Sequence, residues 1–222
     1  MAEDLHWLVT SLETDQILCP KTLVFAHSII SVCNVYEFLM SRLGERAFVD
    51  GVIKQNRCTI SMFHAHVDES LQKHILTEFR KSNSVIRLIV CTVAFGMGIE
   101  IPDVRHVVHW GKLSSLTNYW QQVGRCGRDG LPATATWYTT SIAGSGSDRD
   151  VLVSLRDGKS CLRKVILNGF RLATSSMQQQ ELQSLDQRCI AARPCDRCSC
   201  AQCTCCAFCR RQCQCTSVNY EE

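Results

Sequence analysis

A pair of arginines, Arg125 and Arg128, stands in a segment punctuated by glycines, and these residue types suit phosphate chemistry. A guanidinium group stays charged and can hold two phosphate oxygens at once, so it suits the charge that develops on a phosphoryl group. Arginines three positions apart lie on one face of a helix, which predicts a shared direction for the two side chains. Gly124 and Gly127 would let the backbone approach a nucleotide closely. The alternative is a surface helix with two solvated arginines.

A second phosphate-binding pattern follows the aliphatic stretch Ile86–Cys91. Thr92, Gly96 and Gly98 come directly after that stretch. A strand that opens into a threonine- and glycine-rich turn exposes a hydroxyl and backbone N–H groups, where a phosphate can bind. The alternative is a tight turn from strand to helix that binds no ligand.

Cysteine is the third reactive residue type, with 16 in the chain. Ten of them crowd into residues 189–215, and the other six are scattered singly over residues 19–161. The acidic start lacks the order of a secretory signal, so we predict an intracellular protein. In a reducing compartment, clustered cysteines are metal ligands more often than disulfides. The pair Cys195-x-x-Cys198 has the spacing at which two thiolates hold one tetrahedral Zn²⁺.

The amino-acid composition only broadly limits the class of protein to which the chain can belong. The 222 residues are 45% hydrophobic and 20% charged, which is typical of a globular chain with one core and a small satellite module. A net charge of +3 neither requires nor excludes nucleic acid, since a basic groove can lie within a neutral total. The longest apolar stretch, Leu88–Ile99, is too short to span a membrane, so we expect no membrane partner.

Apolar stretches that alternate with helical patterns predict an α/β domain with a parallel sheet. We expect Asp68 to cap a helix that runs to Arg80, and Ser114 or Ser115 to cap one that ends near Gly127. Five strands are predicted, at Thr22–Phe25, Thr59–Phe63, Ile86–Cys91, Val104–His109 and Thr134–Tyr138.

Three segments together resemble the motifs of RecQ-like superfamily 2 helicases. Gln121–Arg128, followed by Asp-Gly-Leu-Pro-Ala, resembles motif VI, and Ile89–Ile99 resembles motif V. Leu23–Ser28 is similar to motif IV, although Ile29 replaces the family's arginine. The resemblance covers roughly residues 20–140 in the family's order. It implies an α/β fold: a RecA-like parallel sheet flanked by helices, followed by a small helical, cysteine-rich zinc module.

The resemblance also implies an activity and site residues. It implies the second half of a helicase motor that uses ATP to move 3′ to 5′ on DNA, either single-stranded or duplex with a 3′ overhang, in the nucleus. Arg125 and Arg128 would face the phosphates of ATP. The resemblance implies a role in nucleotide binding and coupling for Gln121, Gly124 and Gly98. It implies contacts with the DNA backbone for Ser28, Thr92 and Gly96.

A motor of this kind needs a first lobe with a phosphate-loop lysine and an acidic pair for Mg²⁺. Gly158-Lys159-Ser160 imitates the end of such a loop, but no apolar strand precedes it. Asp68-Glu69 imitates the acidic pair but begins a helix. We therefore expect ATP and Mg²⁺ to bind only together with a first lobe, supplied by the full-length protein or in trans, and expect negligible hydrolysis by this chain alone.

The family resemblance further implies zinc ligands after motif VI. These would be Cys161, Cys189, Cys195 and Cys198, with Cys200 or Cys203 as substitutes for Cys189. Cys161 could instead be a buried helix thiol, and the remaining tail cysteines could hold a second zinc or none. The predicted organisation is an N-terminal helix and linker over 1–20, the helicase domain over 21–143, the zinc module over 148–200 and a cysteine-rich tail over 201–222.

The rival hypothesis is a non-catalytic remnant that binds nucleic acid or zinc. A thiol redox enzyme is less favoured, because Cys195-x-x-Cys198 does not start a helix after a strand as that chemistry prefers.

Overall fold

The computed structural model describes residues 3–96, 100–113, 115–139, 147–170 and 205–213. The chain divides into two compact units, Met1–Ala143 and Gly144–Glu222. The predicted Cys189, Cys195 and Cys198 ligands, and Gly98, lie outside the described residues.

The first unit is built on five parallel strands, which confirms the predicted sheet. The strand order is β2-β3-β1-β4-β5, and every neighbouring pair is parallel. The strands are β1 Lys21–Ala26, β2 Ile60–Phe63, β3 Leu88–Cys91, β4 Val104–Trp110 and β5 Thr134–Tyr138. All residues of β1 and β3 are buried, as expected for central parallel strands covered on both faces.

In the described part of this unit, four α-helices accompany the sheet: α1 His6–Asp15, α2 Ile29–Leu43, α3 Glu69–Arg80 and α4 Leu116–Val123. Side chains of α1 and α2 pack on one face, around Val24 and Val108. Side chains of α3 pack on the other face, with Leu23, Ile89 and Val107. The hydrophobic core therefore lies in two layers on either side of one sheet.

Two predicted helix caps are confirmed. The Asp68 carboxylate accepts hydrogen bonds from the backbone N–H groups of Ser70 and Leu71 at the start of α3. Ser115, rather than Ser114, caps α4, because its hydroxyl accepts from the backbone N–H of Asn118 at 3.1 Å. Asp68 therefore stabilises a helix end, in keeping with the expectation that Asp68-Glu69 is not an acidic metal pair.

A buried ion pair holds β1 to the segment before β4. The Lys21 side chain is fully buried, and its Nζ lies 2.8 Å from an Asp103 carboxylate oxygen and donates to the Lys81 carbonyl at 2.8 Å. Burial lowers the pKa of Lys21, and the Asp103 carboxylate opposes that shift. Asp103 keeps about a third of its side chain exposed.

We expect Lys21→Ala to lower the free energy of unfolding by about 3 kcal/mol, because it leaves Asp103 without its buried partner. This value is at the lower end of the usual free-energy cost of breaking a buried ion pair, because Asp103 can still be partly solvated. Urea unfolding measures the change. Lys73→Ala is the matched control: its pair with Glu69 is exposed at both partners and should contribute less than about 0.5 kcal/mol. Equal urea unfolding midpoints for the Lys21→Ala and Lys73→Ala variants would contradict a stabilising role for the pair of Lys21 and Asp103.

The second unit contains three described helices: α5 Ser147–Asp157, α6 Leu162–Gly169 and α7 Ala207–Gln212. Gly158 ends α5 with a left-handed backbone (φ +58°), a conformation that glycine adopts without steric cost. Gly158-Lys159-Ser160 thus follows a helix rather than a strand, unlike a phosphate loop. Among the residues that the structure describes, no helix is long and apolar enough to cross a membrane.

Candidate nucleotide, nucleic-acid and metal sites

The helix before the arginine pair ends earlier than the sequence pattern predicted. Helix α4 stops at Val123, and Arg125 and Arg128 lie beyond it. The prediction that both arginines share a helical face is therefore wrong, and so is the expected helix end near Gly127. The Gly124 backbone N–H bonds to the Trp120 carbonyl at 2.9 Å, which closes the last turn.

Gly127 shapes the turn that carries the arginines. Its φ of +66° is in the left-handed region, and its N–H donates to the Val104 carbonyl at the start of β4 over 3.0 Å. A Cβ at this position would lie 3.0 Å from the Leu131 carbonyl oxygen and 3.1 Å from the Ala133 Cβ. Any larger residue would thus strain the backbone and crowd the turn. The arginines are positioned by this turn.

Arg125 and Arg128 occupy different environments in that turn. Arg125 is half-buried beside a small cavity whose other lining side chains are apolar: Leu23, Phe95, Ile101 and Val104. Burial lowers the pKa of Arg125, and the nearby positive charge of Arg128 lowers it further. Arg128 is exposed, and its Nε donates to the Gly124 carbonyl at 3.0 Å. The two guanidinium groups therefore form one electrostatically coupled pair, which suits a polyanionic ligand.

An ion pair that the sequence analysis did not identify braces the same turn. Asp129 accepts from two nitrogens of the Arg105 guanidinium, one of them at 3.0 Å, and Arg105 belongs to β4. Asp129 also accepts from the Leu131 backbone N–H at 3.1 Å. The Arg105 hydrogen bonds hold the pKa of Asp129 below its usual value. Asp129 thereby ties the arginine turn to the sheet.

Helix α4 is seated over a buried histidine. The His109 ring stacks on Phe25, with centroids 5.7 Å apart, and lies 4.8 Å from the Tyr119 ring. Gln122 is buried at this contact, whereas Gln121 is exposed and available to a ligand. Burial lowers the pKa of His109 to about 4, against an opposing contribution from Gln122, and burial raises the pKa of Tyr119 to about 12. Both groups are therefore neutral at pH 7.

Neutral His109 predicts acid sensitivity of the first unit. Its pKa is about 4 when folded and about 6.5 when unfolded, so the unfolded state binds more protons between these values. The contribution of neutral His109 to the free energy of unfolding is fully present above pH 6.5. About 3 kcal/mol of the free energy of unfolding is lost as the pH falls through 4. Between pH 7 and pH 4, the free energy of unfolding should therefore fall less steeply for the His109→Phe variant than for the parent chain. His74→Gln, at an exposed site on α3, is the control, and parallel curves for all three proteins would refute the prediction.

The described part of the motif V segment, residues 89–96, reaches from β3 to the cavity beside Arg125. Thr92 follows the carboxyl end of β3, where its backbone N–H donates to the Phe63 carbonyl at 3.2 Å. A 3₁₀ turn over Val93–Gly96 then buries Phe95 against Phe63, with centroids 5.1 Å apart. Phe95 also lines the cavity beside Arg125. The segment thus connects Thr92 at the carboxyl edge of the sheet with the arginine turn near the amino end of β4.

Ser28 lies at the same edge as Thr92. It caps α2 directly after β1, and its hydroxyl accepts from the Ser31 backbone N–H at 3.2 Å. Since β1 and β3 are parallel neighbours, with Phe25 paired to Cys91, the residues that follow them share one edge. The structure therefore places Ser28 and Thr92 together at the carboxyl end of the strands and Arg125 with Arg128 near the amino end of β4, and the Val93–Gly96 turn contacts both regions.

The two histidines after β2 serve a structural role. His64 is buried, and its Nδ1 accepts from the His66 backbone N–H at 3.2 Å. Burial, then the nearby His66, lowers the pKa of His64. Among the described residues, neither histidine belongs to a group with metal-ligand geometry.

Four cysteines of the second unit converge on one point: Cys161, Cys205, Cys206 and Cys209. Their sulfur atoms all lie within 4.8 Å of one another, and those of Cys161 and Cys205 are 3.7 Å apart. A tetrahedral Zn²⁺ with bonds of about 2.3 Å places its sulfur ligands about 3.8 Å apart. The cluster therefore has the ligand type, number and spacing of a zinc–thiolate centre.

Hydrogen bonds favour one thiolate of this cluster. Burial raises the pKa of Cys206, but backbone N–H groups, including that of Leu162 at 3.4 Å, outweigh it and bring the value to about 7. Burial and the neighbouring thiols raise the pKa of Cys205 to about 12 and also raise that of Cys209. Sequence reasoning put Cys161 among the ligands but treated Cys205, Cys206 and Cys209 as surplus. The close pair Cys205-Cys206 and the spacing Cys206-x-x-Cys209 were the available signal.

Comparison with known proteins bears on the first unit. Residues 8–130, over half of the chain, match the family model for the helicase conserved C-terminal domain. Over 91 residues the chain is 46% identical to a putative ATP-dependent DNA helicase Q1 of Caenorhabditis briggsae, covering 39% of this chain and 14% of that protein. Over 86 residues it is 33% identical to the ATP-dependent DNA helicase RecQ of Haemophilus influenzae, again covering 39% and 14%. The chain thus aligns with only a small part of these relatives.

A solved structure supports the same fold. The helicase Lhr of Mycobacterium smegmatis, bound to ssDNA and AMP-PNP, aligns with a TM-score of 0.51 and 17% identity, covering 73% of this chain and 19% of that one. The residues matched by the family model include strands β1 to β4 and the turn that carries Arg125 and Arg128. The chain therefore belongs to the helicase conserved C-terminal domain family, and its matched part is similar to ATP-dependent DNA helicases of the Q1 and RecQ types.

Proposed function

We propose that this chain is the second motor lobe of an ATP-dependent DNA helicase that moves 3′ to 5′. The observation that carries the proposal is the coupled pair Arg125 and Arg128 on a turn that Gly127 and Asp129 brace against β4. Such bracing reduces the rearrangement needed when a phosphoryl group develops charge, which is how preorganised cations accelerate phosphoryl transfer. Gln121, Gly124 and Gly98 would contact or sense the nucleotide.

DNA would lie along the carboxyl edge of the sheet. Ser28 and Thr92 supply hydroxyls there, and the Gly96 turn supplies backbone near Thr92. Hydroxyl and backbone N–H groups contact phosphates and position a strand without reading its sequence. The substrate would be single-stranded DNA or a duplex with a 3′ overhang. Localisation in the nucleus stays a prediction from the family resemblance.

The ATP site would be completed by a first lobe, in the full-length protein or in trans. That lobe would bring the phosphate-loop lysine and the carboxylates that hold Mg²⁺. Arg125 and Arg128 would approach the phosphates from the second lobe. Because both arginines would only stabilise charge, and the phosphate-loop lysine and the Mg²⁺ carboxylates would come from the first lobe, we expect negligible ATP turnover by this chain alone.

We also propose that the second unit holds one Zn²⁺ at Cys161, Cys205, Cys206 and Cys209. Zinc would supply folding energy to a unit whose described helices bury few apolar side chains. The set Cys161, Cys189, Cys195 and Cys198 remains the alternative. If both groups of cysteines bind metal, with Cys161 in only one of them, the zinc content would exceed one per chain.

The deciding experiment is ATP turnover by the zinc-loaded chain, alone and joined to a RecQ-type first lobe, with and without single-stranded DNA. DNA-stimulated turnover in the joined protein only would support the proposal. DNA binding without turnover in either protein would favour a non-catalytic nucleic-acid-binding remnant instead. Turnover by the chain alone would contradict the need for a first lobe.

A further inference from the structure

Helix α4 connects the two regions of the first unit that carry its phosphate-binding candidates. It begins at Leu116, shortly after β4 reaches the carboxyl edge of the sheet, and it ends at Val123, two residues before Arg125. Its eight residues extend over about 12 Å. It also lies next to the Val93–Gly96 turn, which follows Thr92. A movement of α4 would therefore change the position of the arginine turn relative to the carboxyl edge.

His109, on β4, is a buried polar residue beneath this helix. Its ring lies between two aromatic rings, with centroids 5.7 Å from Phe25 on β1 and 4.8 Å from Tyr119 on α4. Only 1% of the His109 surface is exposed, and Gln122 on α4 is also buried. Phe25 pairs with His109 in the sheet and stands three residues before Ser28. His109 thus contacts both the strand that leads to the carboxyl edge and the helix that leads to the arginines.

Packing alone does not explain a histidine at this position. Both ring nitrogens are buried, and neither makes a hydrogen bond of normal geometry with any described residue. The Gln122 side chain and the Thr136 backbone lie close enough to oppose the fall in the His109 pKa that burial causes. A buried polar group without a partner costs free energy that a phenylalanine would avoid. A slight shift of α4 would let Gln122 complete a hydrogen bond to the ring and recover that free energy.

We infer that His109 is a positioning residue for Arg125 and Arg128. Helix α4 shifts when the lobe binds DNA and nucleotide, and the hydrogen bond between Gln122 and His109 forms in the shifted position. This bond holds the helix, and with it the arginine turn, in the arrangement that acts on ATP. A ligand shifts such an equilibrium only by binding one arrangement more tightly, as phosphate contacts near both ends of α4 would do. The inference rests on the proposed function, since it places DNA at the carboxyl edge and ATP at the arginines.

The test compares His109→Phe with His109→Gln in the chain joined to a RecQ-type first lobe. Phenylalanine keeps the aromatic contacts with Phe25 and Tyr119 but cannot bond to Gln122, whereas glutamine loses those contacts and retains an amide. At saturating single-stranded DNA we expect kcat to fall about tenfold in His109→Phe, near the upper end of what one hydrogen bond contributes, with KM for ATP changed less than about twofold. His109→Gln should recover about half of the lost kcat. A role in aromatic packing alone predicts the reverse order of the two variants.

The double variant His109→Phe with Gln122→Leu isolates the bond between these two residues. If each single change breaks the same bond, the double variant should be no slower than His109→Phe alone. The matched control is His106→Phe, which makes the same substitution on the opposite face of β4, where the His106 ring packs against Trp7 of α1. This control should keep the kcat of the parent protein.

Hydrogen exchange provides a second measurement that does not depend on ATP turnover. The Gly127 backbone N–H, which bonds to the Val104 carbonyl at 3.0 Å, reports on the arginine turn. The joined protein is saturated with AMP-PNP and a thymidine oligonucleotide, and exchange is followed by mass spectrometry of the peptide that contains Gly127. We expect these ligands to slow exchange in the parent protein and in His106→Phe, but to slow it much less in His109→Phe.

Three outcomes would overturn the inference. Equal slowing of exchange in the parent and His109→Phe proteins would show that the histidine does not hold the arginine turn, and slowing in neither would show that the turn does not respond to ligands. A lower kcat in His109→Gln than in His109→Phe would show that aromatic packing alone matters. Absence of DNA-stimulated turnover in the parent joined protein would instead contradict the proposed function, and the exchange measurement would still decide the role of His109.

Discussion

Arg125→Ala should abolish DNA-stimulated ATP hydrolysis when the chain is joined to a RecQ-type first lobe. Arginines that stabilise phosphoryl transfer contribute about 10³ to 10⁵ in kcat, so we expect a loss of at least 10³. Steady-state turnover at saturating single-stranded DNA measures this loss. DNA affinity should change little, since Ser28 and Thr92 lie on another side of the lobe.

The lysine variant separates charge from packing at this site. The half-buried Arg125 side chain lines a small cavity together with Phe95 and Ile101, so alanine would also enlarge that cavity. Arg125→Lys keeps most of the aliphatic stem and the positive charge but loses bidentate binding, and we expect it to remain strongly impaired. Arg57→Ala, which breaks an exposed pair with Asp50, is the control and should retain full activity. Full activity of Arg125→Ala would refute the assigned role.

Cys206→Ser should remove zinc and unfold the second unit. Apparent binding free energies of about 10 to 16 kcal/mol make structural zinc a large part of the stability of small modules. We expect zinc content, measured by atomic absorption, to fall by one per chain, and helical circular dichroism to fall with it. A strong chelator should have the same effect on the parent chain while leaving the cooperative unfolding of the first unit intact.

Two further variants decide between the ligand sets. Cys213→Ser changes a buried cysteine that is not part of the four-sulfur cluster, and it should keep the zinc. Cys195→Ser should also keep one zinc if Cys161, Cys205, Cys206 and Cys209 are the ligands. Loss of that zinc in Cys195→Ser, with retention in Cys206→Ser, would instead support the set with Cys189 and Cys198.

Much of the first unit is predictable because its signals are local. Buried parallel strands contain continuous apolar residues, as in Leu88–Cys91, and the strand centres were predicted within two residues. A capping residue acts on the next turn of its own helix, so Asp68 and Ser115 were identifiable from short segments. The spacing of Arg125 and Arg128 also identified the phosphate-binding candidates, although it gave them the wrong local structure.

The contacts that position these residues were not predictable in this way. Helix α4 ends at Val123 because Gly127 bonds to Val104 and Asp129 pairs with Arg105, two contacts across more than 20 residues. His109 gives no signal of burial in its own strand, since its environment is made by Phe25 and Tyr119.

The amino-acid sequence by itself determined the order of strands and helices, the helix caps and the residue types available for phosphate and metal chemistry. Only the tertiary structure decided that Arg125 and Arg128 lie in a turn rather than on a helix. It also decided that Cys161 meets Cys205, Cys206 and Cys209 across more than 40 residues. The physical reason is range: propensities and caps act within a few residues, whereas sulfur clusters and buried ion pairs form between segments that only folding brings together.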